Sequence, residues 1–194
     1  MASPSSSERP TGEPGAALSD AFGQLGLASR YDVDPAALER AFFERSKELH
    51  PDRFASAPAA ERVAVLSRAR ALNDAYALLK RDASRGEYLL AREGVTIGDN
   101  ERIDPALVMD LLEEREALAE ARQRGDRAEV ERMAGAMRRR RRDALDHVKV
   151  GFAAAEELAG DARGVQLARI KGQLILLRYI ERYLEECDAV LDED

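Results

Sequence analysis

The sequence predicts an all-α fold, a helical hairpin followed by an antiparallel three-helix bundle. Three observations point there. Apolar residues recur at three- and four-residue steps through most of the chain, the spacing that builds one face of a helix. Ala, Leu, Glu and Arg dominate, aromatics make up only 5% and Trp is absent, a composition that favours helix over strand. Asp-Pro occurs at 34–35 and again at 104–105, each time directly ahead of such a pattern. The Asp side chain accepts bonds from the orphan amides, and Pro fits the first turn, where its missing N–H costs nothing.

Composition also narrows the function. With 194 residues, 45% of them hydrophobic, the chain can build one core or two small ones. A net charge of -7 opposes a general nucleic-acid binder, because counterion release needs a positive field. The single cysteine, Cys187, makes no internal disulfide and offers no metal cage, which suits a reducing cytosol. Two histidines complete a poor ligand inventory, so no bound metal, cluster or other cofactor is expected. No apolar run reaches membrane-spanning length and no charged-then-apolar leader opens the chain. The expected location is the cytoplasm, away from membranes.

Residues 1–17 are rich in Ser, Pro and Gly and are expected to form a disordered tail. Leu18, Phe22, Leu25 and Leu27 have the spacing of a short helix or turn. From Asp34-Pro35 a helix should run to about Leu49, with Leu38, Ala41, Phe42, Ser46 and Leu49 facing inward. Arg40, Glu44, Arg45, Lys47 and Glu48 are left facing water. Pro51 lacks an amide proton and disfavours helical geometry in the residue before it, so the helix stops near His50. A second helix, Ala59 to Lys80, places Val63, Leu66, Ala69, Leu72 or Asn73, Tyr76 and Leu79 inward, and Tyr76 is expected in the core. His50, Pro51 and Asp52 then form a polar corner between the two. Taken alone, this corner is a helix stop with an Asp turn. The cations Arg40, Arg45, Lys47 and Arg53, taken alone, are a solvated face paired with Glu44 and Glu48.

Glycines at 94 and 98 break the pattern, and 95–103 is the expected linker. Three amphipathic helices follow over 104–194. The first runs to about Gln123, with Leu107, Leu111 and Leu118 as its core stripe. The second starts near Arg127 and carries Val130, Met133, Met137, Ala144, Val148, Phe152 and Ala155. The third, after Gly160-Asp161, carries Leu167, Ile170, Leu174, Leu177, Ile180, Leu184, Cys187 and Leu191. Helices of this kind joined by short turns bury one another's faces.

The first of these helices has apolar residues to spare. Met109 and Leu112 fall on a flank with Glu113, Glu116 and Glu120. An apolar centre with an acidic rim suits docking to a partner, and it equally suits the edge of a broad core beside solvated glutamates. The run Arg138 to Arg142 points all around a helix axis, and with Glu129, Glu131, Asp143 and Asp146 near it reads as a solvated, ion-paired face. Some of these arginines are expected to neutralise acidic neighbours across the bundle. A nucleic-acid site there is the competing reading. His50 and His147 fall in different expected domains, and no nucleophile–base set or phosphate-binding glycine loop is present, so no enzyme is expected. Cys187 lies in an apolar stripe and reads as a buried, inert thiol.

The order of motifs over roughly 19–94 resembles a J-domain, the module by which co-chaperones stimulate ATP hydrolysis by DnaK-type chaperones. The resemblance rests on Phe22-Gly23-Gln24-Leu25-Gly26-Leu27, on the capped helix leading into His50-Pro51-Asp52, and on Leu72-Asn73-Asp74-Ala75-Tyr76-Ala77-Leu78-Leu79. It implies a J-domain over 18–94 whose chaperone contacts are His50, Pro51, Asp52, Arg40, Arg45, Lys47 and Arg53. Arg85-Gly86-Glu87-Tyr88-Leu89-Leu90 is similar to an Arg-Ala-Glu-Tyr-Leu-Leu segment of the HscB (Hsc20) family, co-chaperones of iron-sulfur cluster assembly, with Gly86 in place of the alanine. Val108-Met109-Asp110-Leu111-Leu112-Glu113-Glu114-Arg115-Glu116 resembles the family's Leu-Met-Glu-x-Leu-Glu-x-Arg-Glu segment. That segment implies an IscU-like scaffold bound through Val108, Met109, Leu112, Glu113, Glu116 and Glu120, with Tyr179 where the family has an aromatic. Tyr179 also reads as a packed core tyrosine. The basic run expected before the corner is interrupted by Phe43 and Glu44, which favours a dedicated HscA-like chaperone over a general one. The paired cysteines of an N-terminal zinc module are absent. The alternatives are a general J-domain protein and a structural helical scaffold with a different client.

Overall fold

The computed structural model describes residues 20–98, 101 and 105–193, with only the backbone for 105–108. The tail expected over 1–17, the Asp104 helix start and the side chains of Leu107 and Val108 lie outside the described residues. The described residues form seven helices: α1 Ala21–Leu25, α2 Pro35–Glu48, α3 Ala59–Lys80, α4 Asp82–Arg92, α5 Pro105–Gln123, α6 Arg127–Glu156 and α7 Gly160–Asp192. A 3-10 turn, Pro51–Phe54, lies between α2 and α3. The described residues contain no strand, in line with the all-α prediction.

Packing separates the chain into two compact units. One holds the described residues up to Ser29 together with Leu38–Tyr76, and the other holds Arg30–Ala37 and the described residues from Ala77 onward. Helix α4 packs with the bundle and so falls in the second unit.

In the first unit, α2 buries the predicted stripe: Leu38 is buried and Ala41, Phe42, Ser46 and Leu49 are half-buried. Phe42 stacks on Tyr76 with ring centroids 4.2 Å apart, so Tyr76 is half-buried and not a full core residue. The inner face of α3 is the predicted one at Leu72 and Leu79, which are buried, and departs from it near the N-terminus. Val65 and Ala75 are buried as well, while Val63 and Leu66 are 63% and 57% exposed. Residues 63–66 read Val-Ala-Val-Leu, so apolar residues lie on adjacent faces there and periodicity alone fits two rotations of the helix.

In the second unit the bundle is antiparallel. Arg115 and Arg122 of α5 pair with Glu186 and Glu193 of α7, both across 71 positions, so these two helices run parallel in a fixed register. Along α6 the partners run the other way, Arg138 to Asp188 at 2.9 Å and Arg141 to Glu181 at 3.3 Å. The α5–α6 turn is built by Gly125, whose φ of 65° is open to glycine at little cost, and by Asp126, whose side chain accepts the Glu129 N–H at 3.0 Å. Val130, Met137, Val148, Ile170, Leu174, Leu177, Ile180 and Cys187 are buried in two adjoining clusters. Each fully buried Leu or Ile contributes about 1.5–3 kcal/mol relative to exposure.

Helix α4 and the segment after it are tied to α7. Glu87 receives two bonds from Arg178, at 2.7 and 2.9 Å, and Glu93 receives two from Arg163, at 2.9 and 3.3 Å. Gly86 sets how closely α4 approaches: a Cβ there would stand 2.8 Å from one Leu174 methyl, 3.1 Å from the other and 3.3 Å from the Tyr31 ring. Leu174 is itself fully buried, so its methyls have little room to move. Gly86→Ala is therefore expected to destabilise by about 1 kcal/mol net, overpacking outweighing the gain in helix propensity. Gly172, also helical but with open space around its Cβ position, is the control: Gly172→Ala should stabilise by about 0.5–1 kcal/mol. Denaturant midpoints moving in opposite directions would show this; equal shifts would contradict it.

Candidate functional site

The corner between α2 and α3 is built by backbone rules. His50 adopts φ -65° and ψ 130°, the extended geometry required before proline, and Pro51 opens the 3-10 turn. His50 Nδ1 accepts the Asp52 N–H at 3.3 Å, closing the turn. With Nδ1 occupied as an acceptor, the proton of the neutral ring sits on Nε2, a donor left for another molecule. The Asp52 carboxylate stands 3.5 Å from Nδ1 and is almost fully exposed. The arrangement presents one donor and one carboxylate at the tip of a hairpin.

The cations around the corner are not equivalent. The Lys47 ammonium pairs with Glu44 at 2.9 Å and lies 4.4 Å from the centre of the Phe43 ring. Arg53 donates to the Lys47 carbonyl at 3.5 Å, which holds the turn against the end of α2. Arg45 lies across Gly26, its guanidinium 2.7 Å from the place a Cβ would occupy. Arg40 is exposed on α2.

The flank of α5 is open. Met109 is 58% exposed and Leu112 50%, while Leu111 and Leu118 on the opposite side are buried. Glu113, Glu116 and Glu120 are all exposed. Met109 and Leu112 thus leave at least half of their surface open beside these glutamates. The side chain of Val108 lies outside the described residues. Tyr179 is 36% exposed, so it is not a packed core residue. On α7 it continues the line Tyr183, Glu186, Val190 and Glu193 at steps of four, three, four and three, and Glu186 and Glu193 on that line pair with α5. The 71-residue register places Tyr179 level with position 108, so Tyr179, Met109 and Leu112 share one end of the α5–α7 seam.

Beside Tyr179 is a cavity of about 360 Å³, walled by Ile97, Gly98, Glu101, Ile175, Arg178 and Arg182 as well as Tyr179. Sequence reasoning did not single out Ile175 or Arg182. Their positions four before and three after Tyr179 on a helix are the only signal that would have found them.

The arginine run is ion-paired across the bundle. Arg138 and Arg141 reach α7, and Arg140 meets Glu114 of α5 at 3.1 and 3.3 Å. Burial pushes the Cys187 thiol up to about 11, with Asp188 adding to the shift, which leaves an unreactive sulfur in the core. Among the described residues no group of three or more His, Cys, Asp or Glu is placed to hold a metal ion. No described helix is long and apolar enough to cross a membrane.

A family model described as the HSCB C-terminal oligomerisation domain matches residues 103–188. The chain is 33% identical over 177 residues to a co-chaperone protein HscB homologue of Azoarcus sp. (strain BH72), across 89% of this chain and 94% of that protein. A homologue of the same description from Aromatoleum aromaticum is 33% identical over 147 residues, 72% of this chain and 83% of its own. Among solved structures, the chaperone HscB from Vibrio cholerae matches with a TM-score of 0.75 at 26% identity, over 89% of this chain and 98% of that one. Human co-chaperone protein HscB matches in fold with a TM-score of 0.76 at 22% identity, over 97% and 93%.

Proposed function

The chain belongs to the HscB co-chaperone family, and from that premise we propose that it carries an iron-sulfur cluster scaffold to a DnaK-type chaperone and stimulates that chaperone's ATPase. The partners are an IscU-like scaffold and a specialised HscA-like chaperone. The observation that carries the reading is the presence on one chain of two exposed ends with different chemistry, the His50-Pro51-Asp52 tip and the Met109–Leu112–Tyr179 face. The protein acts by binding and not as an enzyme, in the cytoplasm, without a cofactor of its own and without nucleic acid or membrane. A J-domain over 18–94 supplies the chaperone contact through His50, Pro51 and Asp52, with Arg40, Arg45, Lys47 and Arg53 steering the encounter. The bundle over 104–194 supplies the scaffold contact through Val108, Met109, Leu112, Glu113, Glu116, Glu120 and Tyr179. Covalent linkage of the two contacts raises the effective concentration of scaffold at the chaperone, with no further chemistry required.

ATP turnover by the HscA-like chaperone tests this. Wild-type protein is expected to accelerate it and His50→Gln to lose the acceleration, because glutamine does not reproduce the Nδ1 acceptor and outward Nε2–H together. Equal stimulation by both, or none by the wild type, would rule out the J-domain role.

A further inference from the structure

The cavity beside Tyr179 has a charge imbalance that the apolar face next to it does not explain. Of its three ionised wall residues, two are neutralised within the fold. Glu101 pairs with Lys171 at 2.7 Å and accepts the Gly98 N–H at 3.1 Å, and these bonds hold its carboxyl below the usual range. Arg178 is held by Glu87 through two bonds and donates to the Gly98 carbonyl at 3.3 Å. Arg182, one turn beyond Arg178 on α7, is exposed and has no partner among the described residues. The wall therefore presents one uncompensated guanidinium, a planar fork suited to a carboxylate, with the Tyr179 ring and Ile175 beside it.

Resting on the scaffold-binding reading above, we propose that this cavity receives an acidic side chain of the scaffold, paired with Arg182 while the neighbouring backbone of the scaffold lies over Tyr179. Continuity supports this, because Tyr179 belongs both to the cavity wall and to the seam it shares with Met109 and Leu112. Charge supports it as well. Glu113, Glu116 and Glu120 make the α5 side of the face acidic, and Arg182 makes the α7 side cationic. A partner docked across the seam must then be basic opposite α5 and acidic opposite Arg182, which fixes its orientation, since the reversed pose sets like charges against each other on both sides.

The test is the affinity of the purified full-length protein for an IscU-like scaffold, measured for wild type, Arg182→Glu, Arg182→Lys and Leu112→Ala. Arg182→Glu is expected to weaken binding about tenfold or more, and Arg182→Lys, which keeps the charge, by no more than about threefold. One Asp→Lys or Glu→Lys substitution on the scaffold should restore most of the loss in Arg182→Glu and none of the loss in Leu112→Ala. Matching denaturant midpoints for wild type and Arg182→Glu establish that the fold is intact. If Arg182→Glu binds like wild type while Leu112→Ala weakens binding, the cavity assignment is wrong and the scaffold reading stands. If the wild type does not bind the scaffold at all, both fall.

Discussion

Replacing Arg85 with alanine is expected to cost the protein about 2–4 kcal/mol of stability, the largest effect of any single substitution outside the apolar core. Arg85 is the one buried charged residue among the described positions. Its guanidinium donates to the Tyr31 carbonyl at 2.7 Å, to the Leu79 carbonyl at 2.6 Å and to the Asp82 carboxylate. It also lies 4.9 Å from the centre of the Tyr31 ring, which stacks on Phe152 at 5.1 Å. One side chain thus closes the C-terminal end of α3, holds the start of α4 and fixes the segment around Tyr31 to the bundle. Alanine would leave two carbonyls unpaired and remove the guanidinium from the ring. Asp82 is partly exposed and can be rehydrated, which keeps the estimate below the full cost of an orphaned buried charge. Arg85→Lys should recover little, because a single ammonium does not reach three acceptors in a fork. Denaturant unfolding at constant slope measures this. A midpoint for Arg85→Ala close to wild type would show that the three bonds are compensated elsewhere.

Removing both Met109 and Leu112 side chains, as the double alanine variant, is expected to weaken scaffold binding by about 2–4 kcal/mol while leaving folding nearly unchanged. The two halves of that expectation come from the same fact. Both side chains are more than half or about half exposed, so truncation opens no cavity in the core, and what is lost is the area they bury only when a partner is seated. A single anchor truncated to alanine costs about 1–2 kcal/mol when it lies at the centre of an interface and close to nothing at its rim. Calorimetric titration with the scaffold distinguishes these, and unfolding of the free protein supplies the control. An unchanged affinity with an intact fold would move the scaffold contact off this face. A fall in stability of several kcal/mol would show instead that the face is packed in the free protein.

Much of the bundle was legible because its helices are long and each has one apolar stripe; from Val130 to Ala155 and from Leu167 to Cys187 every predicted inward residue is buried or half-buried. The N-terminal part of α3 was not legible in the same way. In Val63-Ala64-Val65-Leu66 the small and apolar residues surround the axis, and what selects Val65 is the tertiary neighbour, which periodicity does not carry. The packing of α4 onto α7 was also invisible. It depends on Gly86 leaving room for Leu174, on Arg178 meeting Glu87 and on Arg163 meeting Glu93, contacts that span 70 to 91 positions. The chemistry of the corner could be read from three adjacent residues, since Pro51 dictates the backbone of His50 and Asp52 supplies the closing N–H. The face on α5 could be read from the sequence only as two alternatives, because periodicity does not show how much of Met109, Leu112 and Tyr179 the fold leaves exposed. Arg182 carried no signal beyond its place one turn after Tyr179, because an arginine in the sequence does not reveal whether the fold will neutralise it.

The coupling of two contacts in one chain is tested most directly by ATP turnover of the HscA-like chaperone, titrated with scaffold at a fixed concentration of this protein. The wild type is expected to raise turnover above the level reached with scaffold alone or with this protein alone. The Met109→Ala/Leu112→Ala variant should reach the same maximum only at about thirtyfold or more higher scaffold concentration, as its lost affinity requires. His50→Gln should abolish the increase at every scaffold concentration. Rates that simply add, or that are the same for wild type and both variants, would contradict the account.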